Sequence, residues 1–253
     1  MSNNPPYVAL LGNPNSGKTA IFNRLTGLNL KVSNYPGITV EKRIGVAQLS
    51  SEKSMNIMDL PGTYSLLPES IDEQIVTQQI FNWMSGDNCP HAIVSVVDST
   101  NLSRNLFLTS QLLDLGIPII IALNMMDRTK LQDQIIDANR LKEILGVEAV
   151  IPMSARENWG FSELKKSISS IKNINENRKP IKLEIPEIIN DKIHPIVDFL
   201  HASCNYNENQ AIGQTLRIIT KKSTIDVFCD ANILSQEQGR TLNELRNQAV
   251  MEI

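Results

Sequence analysis

No apolar run in the sequence reaches the length needed to cross a bilayer, about 18–20 residues. The longest, IPIIIAL ahead of Asn124, reads as a buried strand. The opening MSNNPPYVALLG has no basic stretch before its short apolar run, so no secretory leader is expected. Cysteine is scarce: Cys89, Cys204 and Cys229 form no CxxC pair and are odd in number. That excludes a disulfide framework and suits a reducing compartment. His91, His194 and His201 are equally scattered, show no ligand spacing, and read as structural. Positive charge is not in excess. The net charge of −3 argues against a nucleic-acid binder that works through a bulk positive field. Internal repeats and low-complexity tracts are absent. What is present is 42% hydrophobic content in 253 residues, enough for one large domain or two modest ones.

Up to about residue 172 the pattern alternates. YVALLG reads as a strand and residues 17–26 as a helix. RIGVAQLS and SMNIMD read as two strands of a hairpin joined by SEKS. Helical spacing follows over 71–84, then the strand AIVSVVD, a helix over 102–115 and the strand PIIIALN. A helix over 138–145, the strand EAVIPM and a helix over 161–171 complete the series. Apolar strands alternating with amphipathic helices predict an α/β domain, a mostly parallel central sheet covered by helices on both faces. The texture then changes. Residues 173–186 are polar and carry proline, as a linker does, and 187–203, 208–221 and 235–250 have helical periodicity. The expected organisation is an α/β domain over 1–172, a linker over 173–186 and a small all-helical domain over 187–253.

The first strand runs into GNPNSGKT: Gly12, Asn13, Pro14, Asn15, Ser16, Gly17, Lys18 and Thr19, with Ala20 next. This is the phosphate-loop pattern in its confirming context, between a strand and a helix. The glycines let backbone N–H groups wrap a phosphate. Lys18 brings a cation to the β- and γ-phosphates, and the helix N-terminus adds partial positive charge. The Thr19 hydroxyl suits Mg²⁺, which takes oxygen ligands and keeps several waters. NIMDLPGT places Asp59 at the end of another strand, where an acidic residue can hold that metal through water. Gly62 brings a backbone N–H to a γ-phosphate with no side chain in the way. Thr63 reads as a cap of that turn.

NMMD, from Asn124 to Asp127, follows the buried strand. An ionised carboxylate only accepts hydrogen bonds, and guanine offers it two donors on one edge where adenine offers none. Asp127 therefore points to a guanine nucleotide, with Asn124 bracing neighbouring loops and Met125 against the base. Ser154, Ala155 and Arg156 follow the next strand, where backbone N–H groups reach the guanine oxygen.

These motifs, with NYPGITVEKR, DLPGTYSLLPESIDE and VVDSTNLSRNLFLTSQLLDLGIPIIIALNMMD, resemble the cytosolic N-terminal part of the ferrous iron transport protein B (FeoB) family over residues 7 to about 172. The tail resembles that family's helical domain in position and length only. The resemblance implies a P-loop GTPase fold that binds GTP or GDP and hydrolyses GTP with Mg²⁺. It implies a soluble piece of a membrane transporter, at the cytoplasmic face of the bacterial inner membrane, regulating or driving Fe²⁺ uptake. Its expected partners are the transporter's own membrane domain, small cytosolic iron-transport accessory proteins and further copies through the full-length protein, with no nucleic acid. The helical domain is expected to hold GDP as a dissociation inhibitor would.

By resemblance Thr39 is the switch threonine that closes on Mg²⁺ and the γ-phosphate, catalytic together with Lys18 and Gly62. Thr63 stands where Ras-like proteins carry a water-orienting glutamine, and no arginine finger is evident. The resemblance suggests K⁺ as the missing positive charge, held by Asn15 and the carbonyls of Ser33 and Tyr35. Tyr35 replaces a tryptophan common in the family, and Arg156 a lysine common in other GTPases. Two other readings share the nucleotide site. A GTPase acting on RNA or ribosomes calls for a basic tail, which this chain lacks. A non-enzymatic nucleotide-gated module would signal through conformation alone.

Overall fold

A computed structural model describes residues 6–28, 30–34, 41–67, 70–84, 88–131, 135–171 and 185–253. The strands are β1 (Tyr7–Gly12), β2 (Leu30–Asn34), β3 (Glu41–Gln48), β4 (Ser54–Asp59), β5 (Ala92–Asp98), β6 (Ile119–Asn124) and β7 (Ala149–Pro152). The helices are α1 (Lys18–Thr26), α2 (Ile71–Met84), α3 (Leu102–Leu113), α4 (Met126–Leu131), α5 (Ala138–Leu145) and α6 (Phe161–Ser170), then α7 (Glu187–Cys204), α8 (Glu208–Thr220), α9 (Ser223–Asp230) and α10 (Gln236–Glu252). They divide between two compact units. One comprises the described residues within Met1–Ser65, Pro90–Leu113 and Ile117–Lys179; the other those within Leu66–Cys89, Asp114–Gly116 and Pro180–Ile253.

The first unit is built on a seven-stranded sheet in the order β2-β3-β4-β1-β5-β6-β7. β1 lies parallel between β4 and β5, and β6 and β7 extend the parallel run, while β3 is antiparallel to both β4 and β2. Every residue of β1 and β6 is buried, as expected of apolar strands covered on both faces. Val8 and Leu10 of β1 share one core with Ile21 and Phe22 of α1, Ile120 of β6, and Leu164 and Ile168 of α6. The register places Asp59 beside Leu10, and Asn124 beside Asp98. The carboxyl ends of the parallel strands thus form one rim, the usual ligand side of an open α/β sheet.

Two elements of this unit are absent from the expected pattern. β2 is an edge strand whose Lys31, Val32, Ser33 and Asn34 are all exposed, so no buried face leaves an alternating signature. α4 has six residues, too few for a helical period to show. The hairpin of β3 and β4 closes where expected, with the N–H groups of Leu49 and Ser50 both donating to the Lys53 carbonyl.

The second unit is helical, but it is not the tail alone. α2 is flanked by β4 and β5 in sequence and reads as part of the α/β domain, yet it contributes Phe81 to the helical core. The Phe81 ring lies 4.4 Å from that of Phe228 on α9. Helical periodicity shows that a helix has an apolar face; it does not show which partner covers that face. α9 itself is short, and Ile225 and Phe228 hold it into the core. α8 and α10 each start with a capping box, Asn207 with Gln210 and Ser235 with Gln238. The expected linker falls almost wholly outside the described residues.

The three residues Asp114–Gly116 also belong to this unit. Gln210 donates to the Leu115 carbonyl at 3.2 Å, and buried Arg217 reaches Asp114 at 3.3 Å. Gly213 makes room for that pair, since a Cβ there would lie 2.5 Å from the Asp114 carboxylate. Burial pushes the Asp114 carboxyl up from its ordinary 3.8 to about 6, against the downward pull of the Arg217 guanidinium. The folded chain therefore keeps a proton that the unfolded chain has already released. A raised carboxyl contributes stability that is full below about pH 4 and is lost as pH rises to about 6. Urea unfolding, followed by Trp83 fluorescence in a Trp159→Phe background, is expected to show this downward step. Asp114→Asn should flatten it, and identical pH slopes in the two proteins would refute the assignment.

Candidate functional site

The loop from Gly12 to Gly17 leaves β1 and enters α1 with two left-handed residues, Asn15 at φ 66° and Gly17 at φ 88°. Both close approaches around it require glycine. A Cβ on Gly12 would lie 2.7 Å from the Val96 carbonyl oxygen, and one on Gly17 would lie 2.2 Å from the Asn124 amide nitrogen. Asn13 and Ser16 are buried, and the Ser16 N–H closes the turn on the Asn13 carbonyl at 3.1 Å. The Ser16 hydroxyl and the Asn13 Oδ1 have no protein partner among the described residues. Pro14 is half-buried, and Asn15, Thr19 and Ala20 are exposed.

Lys18 is buried, and its ammonium is paired with the Asp59 carboxylate, itself buried at the end of β4. The phosphate-loop cation and the expected metal-holding carboxylate thus neutralise each other, as buried charges must. Oxygen donors suited to a hard divalent cation are present in the Asp59 carboxylate and the exposed Thr19 hydroxyl. The carboxylate already holds a positive group, so its surroundings fit a cation.

Beyond Asp59 the chain stays close to the phosphate loop. The Leu60 N–H donates to the Leu10 carbonyl and the Thr63 N–H to the Gly12 carbonyl, each at 3.2 Å. A Cβ on Gly62 would lie 3.3 Å from the Cα of Pro14, so the two loops touch backbone to backbone there. Thr63 is buried and donates its hydroxyl to the Ser65 carbonyl at 2.6 Å. It closes its own turn, and its hydroxyl hydrogen is committed there.

Asn124 is 2% exposed and joins two loops distant in sequence. Its Nδ2 donates to the Ser16 carbonyl, and its Oδ1 accepts from the Ala155 N–H, both at 2.9 Å. Met125 is left-handed at φ 64°, and the Met126 N–H donates to the Met153 carbonyl at 3.2 Å, which joins the NMMD and SAR loops. Ser154 is buried, and its hydroxyl accepts from the Glu157 N–H. Asp127 is half-buried and Arg156 exposed.

Between these loops lies a cavity of about 470 Å³, in the usual size range of small-molecule sites. Gly17, Ala20, Asn124, Met125, Asp127, Ala155 and Arg156 line it, all anticipated from the sequence. Asn23, Arg24 and Arg128 line it too and were not anticipated. Asn23 and Arg24 lie three and four places after Ala20 on α1, a spacing that puts them on its face of the helix and is the signal by which they are found. Ser33 stands apart on exposed edge strand β2, opposite Lys42. Thr39 and Tyr35 lie outside the described residues. Among the described residues no group of three or more His, Cys, Asp or Glu side chains is placed to hold a metal ion.

The family model described as ferrous iron transport protein B matches residues 6–168. The Fe(2+) transporter FeoB of Legionella pneumophila strain Paris is 41% identical over 258 aligned residues, covering 98% of this chain but 33% of the relative. The chain thus spans about a third of that relative's length. Among solved structures, an S. thermophilus NFeoB mutant bound to mGDP superposes with a TM-score of 0.79 at 30% identity, over 97% of this chain and 89% of that one. The cytosolic domain of the T. maritima FeoB iron transporter in a GDP form gives 0.77 at 30% identity, over 98% and 95%. A family model that spans the whole sheet and its rim, with such identity carried through the helical tail, admits one assignment: the chain belongs to the ferrous iron transport protein B family.

Proposed function

We propose that this chain is the guanine-nucleotide-binding and GTP-hydrolysing portion of a membrane Fe²⁺ transporter, in which the nucleotide state regulates or drives iron uptake. The observation that carries the reading is the Asn124 amide, bonded at once to the phosphate loop and to the Ala155 N–H beside a cavity with Asp127 in its wall. Similarity to structures bound to mGDP and in a GDP form supports the same ligand class. The relatives' name supports ferrous iron as the cargo of the whole protein. Similarity to the cytosolic domain of the T. maritima FeoB iron transporter supports placing this portion at the cytoplasmic face of the inner membrane beside a separate membrane domain, and among the described residues no helix is long and apolar enough to cross a membrane. Small iron-transport accessory proteins and further copies of the whole transporter are the remaining proposed partners.

The residues present divide the work. Asp127 accepts the two guanine donors. The Ser154 and Ala155 N–H groups are committed to the Trp159 carbonyl and to Asn124 Oδ1, so the guanine oxygen is assigned to the Arg156 N–H. Lys18 exchanges its carboxylate partner for β- and γ-phosphate oxygens. Asp59, through water, and the Thr19 hydroxyl would hold Mg²⁺, which would supply charge neutralisation for the phosphates. Gly62 presents its N–H to the γ-phosphate. Thr39 is assigned to the same metal and phosphate. Thr63 does not orient water, since its hydroxyl serves the turn; backbone groups of the segment before β3 take that part. The charge otherwise supplied by an arginine finger falls to K⁺ at Asn15 and the carbonyls of Ser33 and Tyr35.

Asp127→Asn replaces one acceptor oxygen by a donor. GTP affinity is expected to fall roughly a hundredfold and the preference for guanine over xanthine nucleotides to weaken. Titration calorimetry with GTP, XTP and ATP checks it, and an unchanged order of preference removes the base assignment. Turnover in KCl is expected to exceed that in NaCl by about tenfold or more at fixed ionic strength. Equal rates remove the K⁺ assignment and leave the rest standing.

A further inference from the structure

Arg104 connects the two segments that meet the phosphates. It lies in the first turn of α3, with its guanidinium carbon 4.1 Å from the centre of the Tyr64 ring. Its backbone carbonyl accepts a hydrogen bond from the Asn13 side chain of the phosphate loop at 3.4 Å. Tyr64 directly follows Thr63, whose N–H is held by the Gly12 carbonyl. One residue of α3 therefore touches both the loop that wraps the phosphates and the segment that carries Gly62.

The turn that presents Arg104 is itself anchored. The Asp98 carboxylate accepts from the Thr100 N–H at 2.9 Å, capping a short 3-10 turn, Ser99–Asn101, ahead of α3. Asn105 is 5% exposed; its Oδ1 accepts from the Asp98 N–H at 3.2 Å and its Nδ2 donates to the Asn101 carbonyl at 2.9 Å. Arg104 thus projects from a fixed base at the end of β5. Its guanidinium lies over the aromatic face, and among the described residues no carboxylate pairs with it. A planar guanidinium stacks on a ring as an ammonium does not.

We propose that Arg104 is a positioning residue for GTP hydrolysis, which holds the Gly62–Tyr64 segment against the phosphate loop by stacking on Tyr64. It acts through Tyr64 and touches no phosphate. The inference rests on the reading of Gly62 as the γ-phosphate contact. Because GDP has no γ-phosphate, the clamp matters to turnover of GTP and is silent in GDP affinity. A cation–π contact at an exposed site shifts a local equilibrium roughly two- to fivefold, which sets the scale of the effect.

The test uses the full chain with Mg²⁺ and KCl, measuring single-turnover GTP hydrolysis and GDP affinity, with thermal unfolding to establish that each variant folds. Arg104→Ala and Tyr64→Leu are each expected to slow hydrolysis about threefold with GDP affinity unchanged. The double variant should be no slower than either single one, since both remove the same contact. Tyr64→Phe keeps the ring and should stay close to wild type, and Arg104→Lys should fall between wild type and Arg104→Ala. Tyr64→Phe and Tyr64→Leu carry the comparison if Arg104→Ala does not fold. Unchanged hydrolysis in Arg104→Ala, multiplicative losses in the double variant, or GDP affinity falling in step with the rate would each overturn the proposal. A wild-type chain that does not hydrolyse GTP overturns this proposal and the GTPase reading together. A wild-type chain that hydrolyses GTP no faster than Arg104→Ala overturns only the clamp.

Discussion

The buried amide of Asn124 is the constraint on which the site depends. Its two hydrogen bonds span 108 residues to Ser16 on one side and 31 to Ala155 on the other. A buried amide that loses one such partner is left with a desolvated polar atom, a penalty of about 1–3 kcal/mol. The two loops therefore hold their spacing only while both bonds are made, and that spacing sets the width of the cavity. Gly17 belongs to the same constraint. Its missing side chain is what lets the Asn124 amide approach the phosphate loop.

Charge at the rim is neutralised within the fold. Lys18 and Asp59 are buried against each other at the rim. Leaving either alone there would be costly; under the proposed function, a triphosphate that took the ammonium would have to bring a cation for the carboxylate. On that reading the two side chains already in contact would link phosphate binding to metal binding. The loop beyond Asp59 is fastened to β1 by backbone bonds at Leu60 and Thr63, which hold it near the phosphate loop.

The helical unit is assembled from three separated stretches of chain. α2 enters its core through Phe81, and Asp114 is held by Arg217 in the gap that Gly213 leaves on α8. Both inserted stretches adjoin parts of the nucleotide site in sequence. α2 follows the loop of Gly62, and the segment at Asp114 leads into β6, which ends at Asn124. The helical unit is therefore covalently continuous with the site at two places ahead of the tail.

Most of the rim was legible in the sequence, because its chemistry is local. GNPNSGKT between a strand and a helix, Asp59 at a strand end and NMMD after an apolar run each carry their meaning within a few residues. Periodicity recovered the buried strands and the longer helices for the same reason: a repeating burial pattern is written along the chain. Edge strand β2, the short α4 and α9, and the cavity wall at Arg128 leave no such pattern, and Asn23 and Arg24 are marked only by their spacing from Ala20 on α1. What the tertiary structure alone decided is partnership: that Lys18 rests on Asp59, that the expected bracing by Asn124 runs to the Ser16 carbonyl and the Ala155 N–H, that α2 belongs with the tail, and that Arg104 lies over Tyr64. Each is a contact between residues far apart in sequence, set by how apolar faces pack, and the energy of such a contact exists only once the chain has closed the loop between them.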